Sequence, residues 1–183
     1  KLTLHWQEID LREVLLESVE SIRESAAKRG SNITVKANDP VRGVLDSKRV
    51  NQIYLNLLSN AIKYGEGNLI EVRLTSSTEP SGHAPVEVAR IEIEDHGIGI
   101  PNGMEKKIFE RFQRVSTSTT ITGLGLGLGL YIVREIVRAL GGSIMVKSKL
   151  GRGSVFTVLL PLRPREGKMH QPIEEVGRTP LSA

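Results

Sequence analysis

The segment TGLGLGLGLYIVREIV sets Gly123, Gly125, Gly127 and Gly129 alternately with leucines, directly ahead of a strongly apolar helix pattern. Glycine costs roughly 1 kcal/mol relative to alanine in a helix interior, so four in register demand an explanation. The leucines can anchor the stretch in a core while the glycines expose N–H groups, and a helix N-terminus with bare amides is a phosphate site. A flexible linker is the competing reading, but linkers favour Ser over Leu. No Gly-Lys-Ser/Thr follows, so the run is not a Walker loop.

The chain has 183 residues, enough for one domain with a core. Only 4% of it is aromatic, so that core must be mostly aliphatic. The net charge of +4 is spread along the chain with no basic run, which argues against a nucleic-acid partner. The absence of cysteine excludes disulfides and thiolate metal sites. No stretch approaches the roughly 18 to 20 apolar residues of a membrane span, so no direct membrane contact is expected. The start, Lys1-Leu2-Thr3-Leu4, has neither an initiator Met nor a signal pattern, and the chain reads as a piece of something longer.

Residues 2–9 alternate loosely, as a strand at an edge would. Asp10 is placed to cap a helix running to about Arg29 and stopped by Gly30. A strand is predicted over 32–37, a turn at Asp39-Pro40, and a second helix over 48–64, capped by Asp46 or Ser47 and ended by Gly65. Strands near 69–75 and 86–94 flank a polar hairpin loop over 76–82. A short helical piece is predicted at 105–112, a third helix from Leu126 or Gly127 to Leu140, and a hairpin of strands 143–149 and 153–160. After Pro161 the chain is proline-rich and aperiodic, and residues 163–183 are expected to be a disordered tail. The sum is α+β in two layers.

Two further constellations carry chemistry. In VNQIYLNLLSNAIKY, Asn56, Asn60, Lys63 and Tyr64 share one face of an otherwise apolar helix. Asn is a poor helix former, so two of them mid-helix need a reason. A solvated stripe is one reading. A site for a metal-bound polyphosphate is the other, since a carboxamide oxygen is a hard ligand and Lys suits phosphate. In IEIEDHGIGIP, an alternating strand ends at Asp95 and is followed by Gly97 and Gly99. A carboxylate there can accept from an exocyclic amine, and the glycines permit close approach of a flat ligand. A simple acidic turn is the alternative. Asn102 stands where a dinucleotide fingerprint needs its third Gly.

Together and in order, these segments resemble the N, G1 and G2 boxes of the histidine kinase ATPase family, and IFERFQRV at 108–115 looks like its F box. The likeness spans about residues 2–161. It implies a domain over 1–162 with the Bergerat fold: a two-layer α/β sandwich, a mixed sheet of about five strands plus a small edge strand, covered on one face by three helices. It implies ATP and Mg²⁺ as ligands. Asn60 matches the metal ligand, with Asn56 one turn earlier; Lys63 matches a phosphate contact and Tyr64 a nucleoside contact. Asp95 matches the carboxylate that accepts from the adenine amino group, beside Gly97, Gly99 and Ile100. Arg114 matches an arginine near the γ-phosphate, and Gly125, Gly127, Leu128 and Gly129 match the G2 stretch around the triphosphate. Asn56, Lys63 and Arg114 are the expected catalytic set, residues 102–124 the expected ATP lid, and Phe109 and Phe112 its anchors.

The chain departs from the family pattern at Leu126, where Thr or Ser is usual, and at His96, a position often held by Asn or another polar residue. The family's phosphate acceptor is a histidine on a preceding helical dimerisation domain. None of His5, His83, His96 and His170 has that context, so the chain is expected to bind ATP without labelling itself. The implied partners are that helical domain and a response regulator receiver domain; the implied location is cytoplasmic, and the piece is expected to be monomeric. A gyrase- or chaperone-type clamp would need Glu where Asn56 stands. An anti-sigma serine kinase and a non-catalytic ATP-sensing module are the remaining alternatives, Leu126 alone favouring the latter.

Overall fold

A computed structural model of the chain describes residues 2–80, 85–112 and 127–164. Seven strands and three α-helices run in the order β1 (Gln7–Asp10), α1 (Leu11–Lys28), β2 (Asn32–Lys36), β3 (Arg42–Leu45), α2 (Ser47–Tyr64), β4 (Leu69–Glu79), β5 (Val86–Asp95), α3 (Gly129–Ala139), β6 (Ser143–Lys149) and β7 (Gly153–Pro161). Among the described residues between β5 and α3 there is one 3₁₀ turn, Lys107–Phe109.

The main sheet has the order β2-β4-β5-β7-β6, with β2 parallel to β4 and the other pairs antiparallel. Alternation sorts its faces: Ile70, Val72 and Leu74 on β4, Ile91 and Ile93 on β5, and Phe156, Val158 and Leu160 on β7 are buried inward. The helices cover that face, α1 over β2, α2 over β5 and α3 over β6 and β7. The core is aliphatic, as the low aromatic content requires, and Tyr54 is the largest fully buried side chain. Its hydroxyl donates to the Leu11 carbonyl at 3.3 Å, and burial pushes the phenol above its usual range.

Both predicted caps form. Asp10 accepts from the Arg12 amide, and Asp46 from the Arg49 amide at 3.1 Å. The second Asp46 oxygen accepts from the His5 amide at 2.9 Å, so one buried carboxylate caps α2 and holds the incoming chain.

Four expectations need correction. The N-terminal strand is shorter than 2–9 and joins no edge of the main sheet; it pairs antiparallel with β3, a strand the sequence reading missed. Arg42–Leu45 is four residues long with no usable period, and only its partner defines it. Second, residues 76–79 belong to β4: Ser76 to Glu79 pair with Ala89 to Val86, so ladder pairing overrides the polarity that suggested a loop. Third, the helical piece expected at 105–112 is only the 3₁₀ turn. Fourth, α3 begins at Gly129 rather than at 126 or 127. The expected tail, apart from Arg163 and Pro164, lies outside the described residues.

Candidate functional site

The polar face of α2 runs between two structures built from distant segments. At its C-terminal end, the turn after β5 docks on the backbone: the Ile98 amide donates to the Tyr64 carbonyl at 3.1 Å. A Cβ at Gly97 would sit 1.8 Å from that same carbonyl oxygen. Gly99 has φ +67°, and a Cβ there would lie 2.2 Å from the Lys149 carbonyl oxygen. Both glycines are therefore required by close approach of the chain to itself.

Asp95 ends β5 in this wall, only 5% exposed. Gly97 N–H donates to its Oδ1 at 3.0 Å. Burial raises the carboxyl above the usual aspartate range, while the Gly97 and Ser154 amides pull the other way. Residues not singled out in the sequence brace this turn. Asn68 Nδ2 donates to the carbonyls of Gly65 and His96, each at 2.9 Å. The Ile100 amide donates to Ser148 Oγ at 2.8 Å, and Ser148 donates to the Gly153 carbonyl at 2.8 Å. An Asn in a turn and a Ser on a strand carry no local signal for such bracing.

At the other end, α3 begins beside Asn56. A Cβ on Gly129 would stand 3.1 Å from Asn56 Oδ1, while Asn56 Nδ2 donates back to the Gln52 carbonyl at 2.8 Å. Asn56 thus turns its carbonyl oxygen toward α3. Gly127 has φ +66°, and Leu128 at the N-cap position offers no side-chain cap. Between the two ends lie half-buried Asn60 and Lys63, the lysine Nζ 5.0 Å from the Tyr64 ring centroid. The structure thus sets Asp95, Gly97 and Gly129 against the helix that carries Asn56, Asn60, Lys63 and Tyr64, with Gly99 and Ile100 in the Asp95 turn, where they meet Lys149 and Ser148, and Gly127 and Leu128 directly ahead of α3. Arg114, Gly125 and Leu126 lie outside the described residues, as does most of the expected lid. Phe109 is buried edge-on to Phe156, ring centroids 6.4 Å apart, whereas Phe112 is 68% exposed.

His96 points to the uncovered sheet face, its Nε2 3.7 Å from Glu71 Oε2. Glu71, Glu94 and His96 have the spacing of a metal site. Their carboxylates are already engaged, Glu71 by Lys36 at 3.1 Å and Glu94 by Arg73 at 2.5 Å. Lys36 is the main cause that lowers the Glu71 carboxyl.

Residues 45–164 match the model of the histidine kinase-, DNA gyrase B- and HSP90-like ATPases. The chain belongs to that family. Among its relatives is the circadian input-output histidine kinase CikA of Synechococcus elongatus, 36% identical over 135 residues, 70% of this chain and 16% of CikA. The mycobacterial sensor histidine kinase MprB superposes with a TM-score of 0.67 at 31% identity, covering 86% of this chain and 97% of that one. Full-length ShkA, solved in complex with AMPPNP, gives a TM-score of 0.67 at 30% identity over 88% of this chain and 31% of its own. Within the ATPase family, the domain is therefore of the sensor histidine kinase catalytic type, with the mixed five-stranded sheet and three helices of that type. It spans less than a fifth of CikA.

Proposed function

We propose that this domain, residues 1–162, binds MgATP and donates the γ-phosphoryl group to a histidine on a separate helical dimerisation domain. The observation that carries the reading is the enclosure of the Asn56–Asn60–Lys63 face between the Asp95 turn and the uncapped start of α3. The ShkA complex with AMPPNP supports it, since that kinase shares this fold.

Asp95 suits an adenine amino group: it is buried, its two oxygens keep acceptor capacity beyond the Gly97 and Ser154 amides, and its turn is braced by Asn68 and Ser148. Gly97, Gly99 and Ile100 would line the ring and Tyr64 the nucleoside. The phosphates would lie toward α3, where Gly127, Leu128 and Gly129 offer amides and Lys63 charge, with Gly125 and Arg114 completing that end. The half-buried Asn60 carboxamide fits a magnesium ion that keeps most of its ligands from phosphate and water. Bound there, the ion supplies charge neutralisation for the triphosphate.

Phosphoryl transfer then asks these residues for positioning and charge, and the acceptor histidine for the lone pair. Asn56 cannot take a proton, and one amide hydrogen is committed to its own helix. Activation of water is accordingly poor, and transfer to histidine is favoured over the hydrolysis of a gyrase-type clamp. The piece alone should not label itself, because neither His5 nor His96 has an acceptor's setting. A receiver domain downstream and a cytoplasmic site of action belong to the same reading; among the described residues no helix is long and apolar enough to cross a membrane.

The test is calorimetric titration of MgATP into the unchanged chain, Asp95→Asn and Asn60→Ala. Micromolar binding that Asp95→Asn abolishes, and that loses its Mg²⁺ dependence in Asn60→Ala, supports the site. Failure of the unchanged chain to bind would overturn it.

A further inference from the structure

Tyr131 lies in the first turn of α3, two residues beyond Gly129. Arg111 Nη2 donates to its hydroxyl at 2.7 Å, and the same guanidinium carbon is 4.6 Å from the ring centroid. Arg134 brings a second guanidinium within 5.6 Å of that centroid, and its buried Nε has no hydrogen-bond partner among the described residues. One aromatic ring therefore meets two cations, and Arg111 engages both its face and its hydroxyl.

The segment that delivers Arg111 is anchored. Ile108 and Phe109 are buried, and Phe109 packs edge-on against Phe156 of β7. Arg111 follows two residues later, so its bond to Tyr131 ties the first turn of α3 to a fixed point on the sheet. That same turn places Gly129 against Asn56 Oδ1. Leu128 at the N-cap position makes no side-chain cap, and the Arg111–Tyr131 contact is a charged side-chain tie from this turn to a neighbouring segment.

We propose that Arg111 and Tyr131 form a positioning pair for the phosphate end of the nucleotide site, an inference that rests on the MgATP reading above. The pair touches no nucleotide. It holds the α3 amides beside Asn56, so that binding a triphosphate does not first have to order them. Arg111, spent on Tyr131, is thereby distinguished from an arginine that contacts phosphate.

Titrating MgATP and, separately, adenosine into the unchanged chain, Tyr131→Phe and Tyr131→Ala tests this, with thermal melts of each. Tyr131→Ala should weaken MgATP roughly tenfold, and Tyr131→Phe, which keeps the ring and loses the acceptor, by a smaller factor. Adenosine affinity and melting temperature should stay unchanged in both. Undiminished MgATP binding by Tyr131→Ala overturns the proposal, as does equal loss of MgATP and adenosine, which marks a general structural role. If Tyr131→Ala does not fold, Tyr131→Phe decides on the same criteria. An unchanged chain that binds neither ligand sinks the nucleotide reading, and this inference with it; binding that only Asp95→Asn removes sinks this inference alone.

Discussion

The two ends of α2 are built differently. At the Tyr64 end, backbone lies on backbone: Gly97 against Tyr64, Gly99 against Lys149, and Gly153 against Asp95, each with its missing Cβ within 2.2 Å of a carbonyl oxygen. At the Asn56 end the contacts are through side chains: Asn56 against Gly129, and Arg111 against Tyr131. Backbone contacts of that closeness cannot be relieved by a rotamer change, whereas side-chain contacts can. The first end is therefore coupled to the stability of the fold, and the second can change its affinity for a ligand while the fold persists.

The largest effect expected from this contrast is at Gly97. Gly97→Ala must displace α2 or the turn and should destabilise the domain by about 3 kcal/mol, read by urea unfolding. Gly103→Ala is the matched control: it has nothing within 4 Å and strains only its φ of +83°, for about 1 kcal/mol. Equal losses at the two positions would show that the close approach at Gly97 is not what matters there.

Gly129→Ala inverts the pattern. Its Cβ would press on Asn56 Oδ1 from 3.1 Å, which a small shift of the carboxamide relieves. Stability should move by less than about 1 kcal/mol, while MgATP binding weakens several-fold. A large loss of stability would erase the distinction between the two ends.

The smallest effect concerns Asp95. Its carboxyl is raised in the fold, chiefly by burial. The sign follows: stability is fully present below the unfolded value of about 3.9 and declines as pH rises through the higher folded value. At pH 7 the ionised carboxylate therefore costs stability, and Asp95→Asn, whose oxygen can still accept from Gly97, should be at least as stable as the unchanged chain. The advantage should vanish near pH 3. Paired unfolding curves at the two pH values check this; an Asp95→Asn variant less stable at pH 7 would mean that the Gly97 and Ser154 amides outweigh burial.

Much of the frame was legible before any coordinates. Asp10 and Asp46 announce α1 and α2 because a helix start needs an acceptor for its free amides, and both side chains take that part. The alternation in β5 and β7 marks strands with one buried face. The candidate site residues stand out in the sequence because asparagines in an apolar helix and glycines in regular runs cost free energy locally. Other features have no such signature. Arg42–Leu45 is a strand because Gln7–Asp10 pairs with it, and residues 76–79 continue β4 because β5 continues beside them. Ser148 and Asn68 brace the Asp95 turn from segments far away in sequence.

The sequence by itself thus determined the three long helices, most of the strands, and which segments carry polar groups that a fold would not place there without cause. Those are local matters of capping, period and conformational cost, written within a few residues. Only the tertiary structure decided why Gly97 and Gly99 are glycines. The sequence suggested close approach of a ligand; the structure adds that on the side where a Cβ would stand, the chain's own carbonyls lie against both glycines. It also decided that Arg111 meets Tyr131 across 20 residues. Contacts of this kind arise when already formed elements pack, and no spacing along the chain encodes the distance at which they meet.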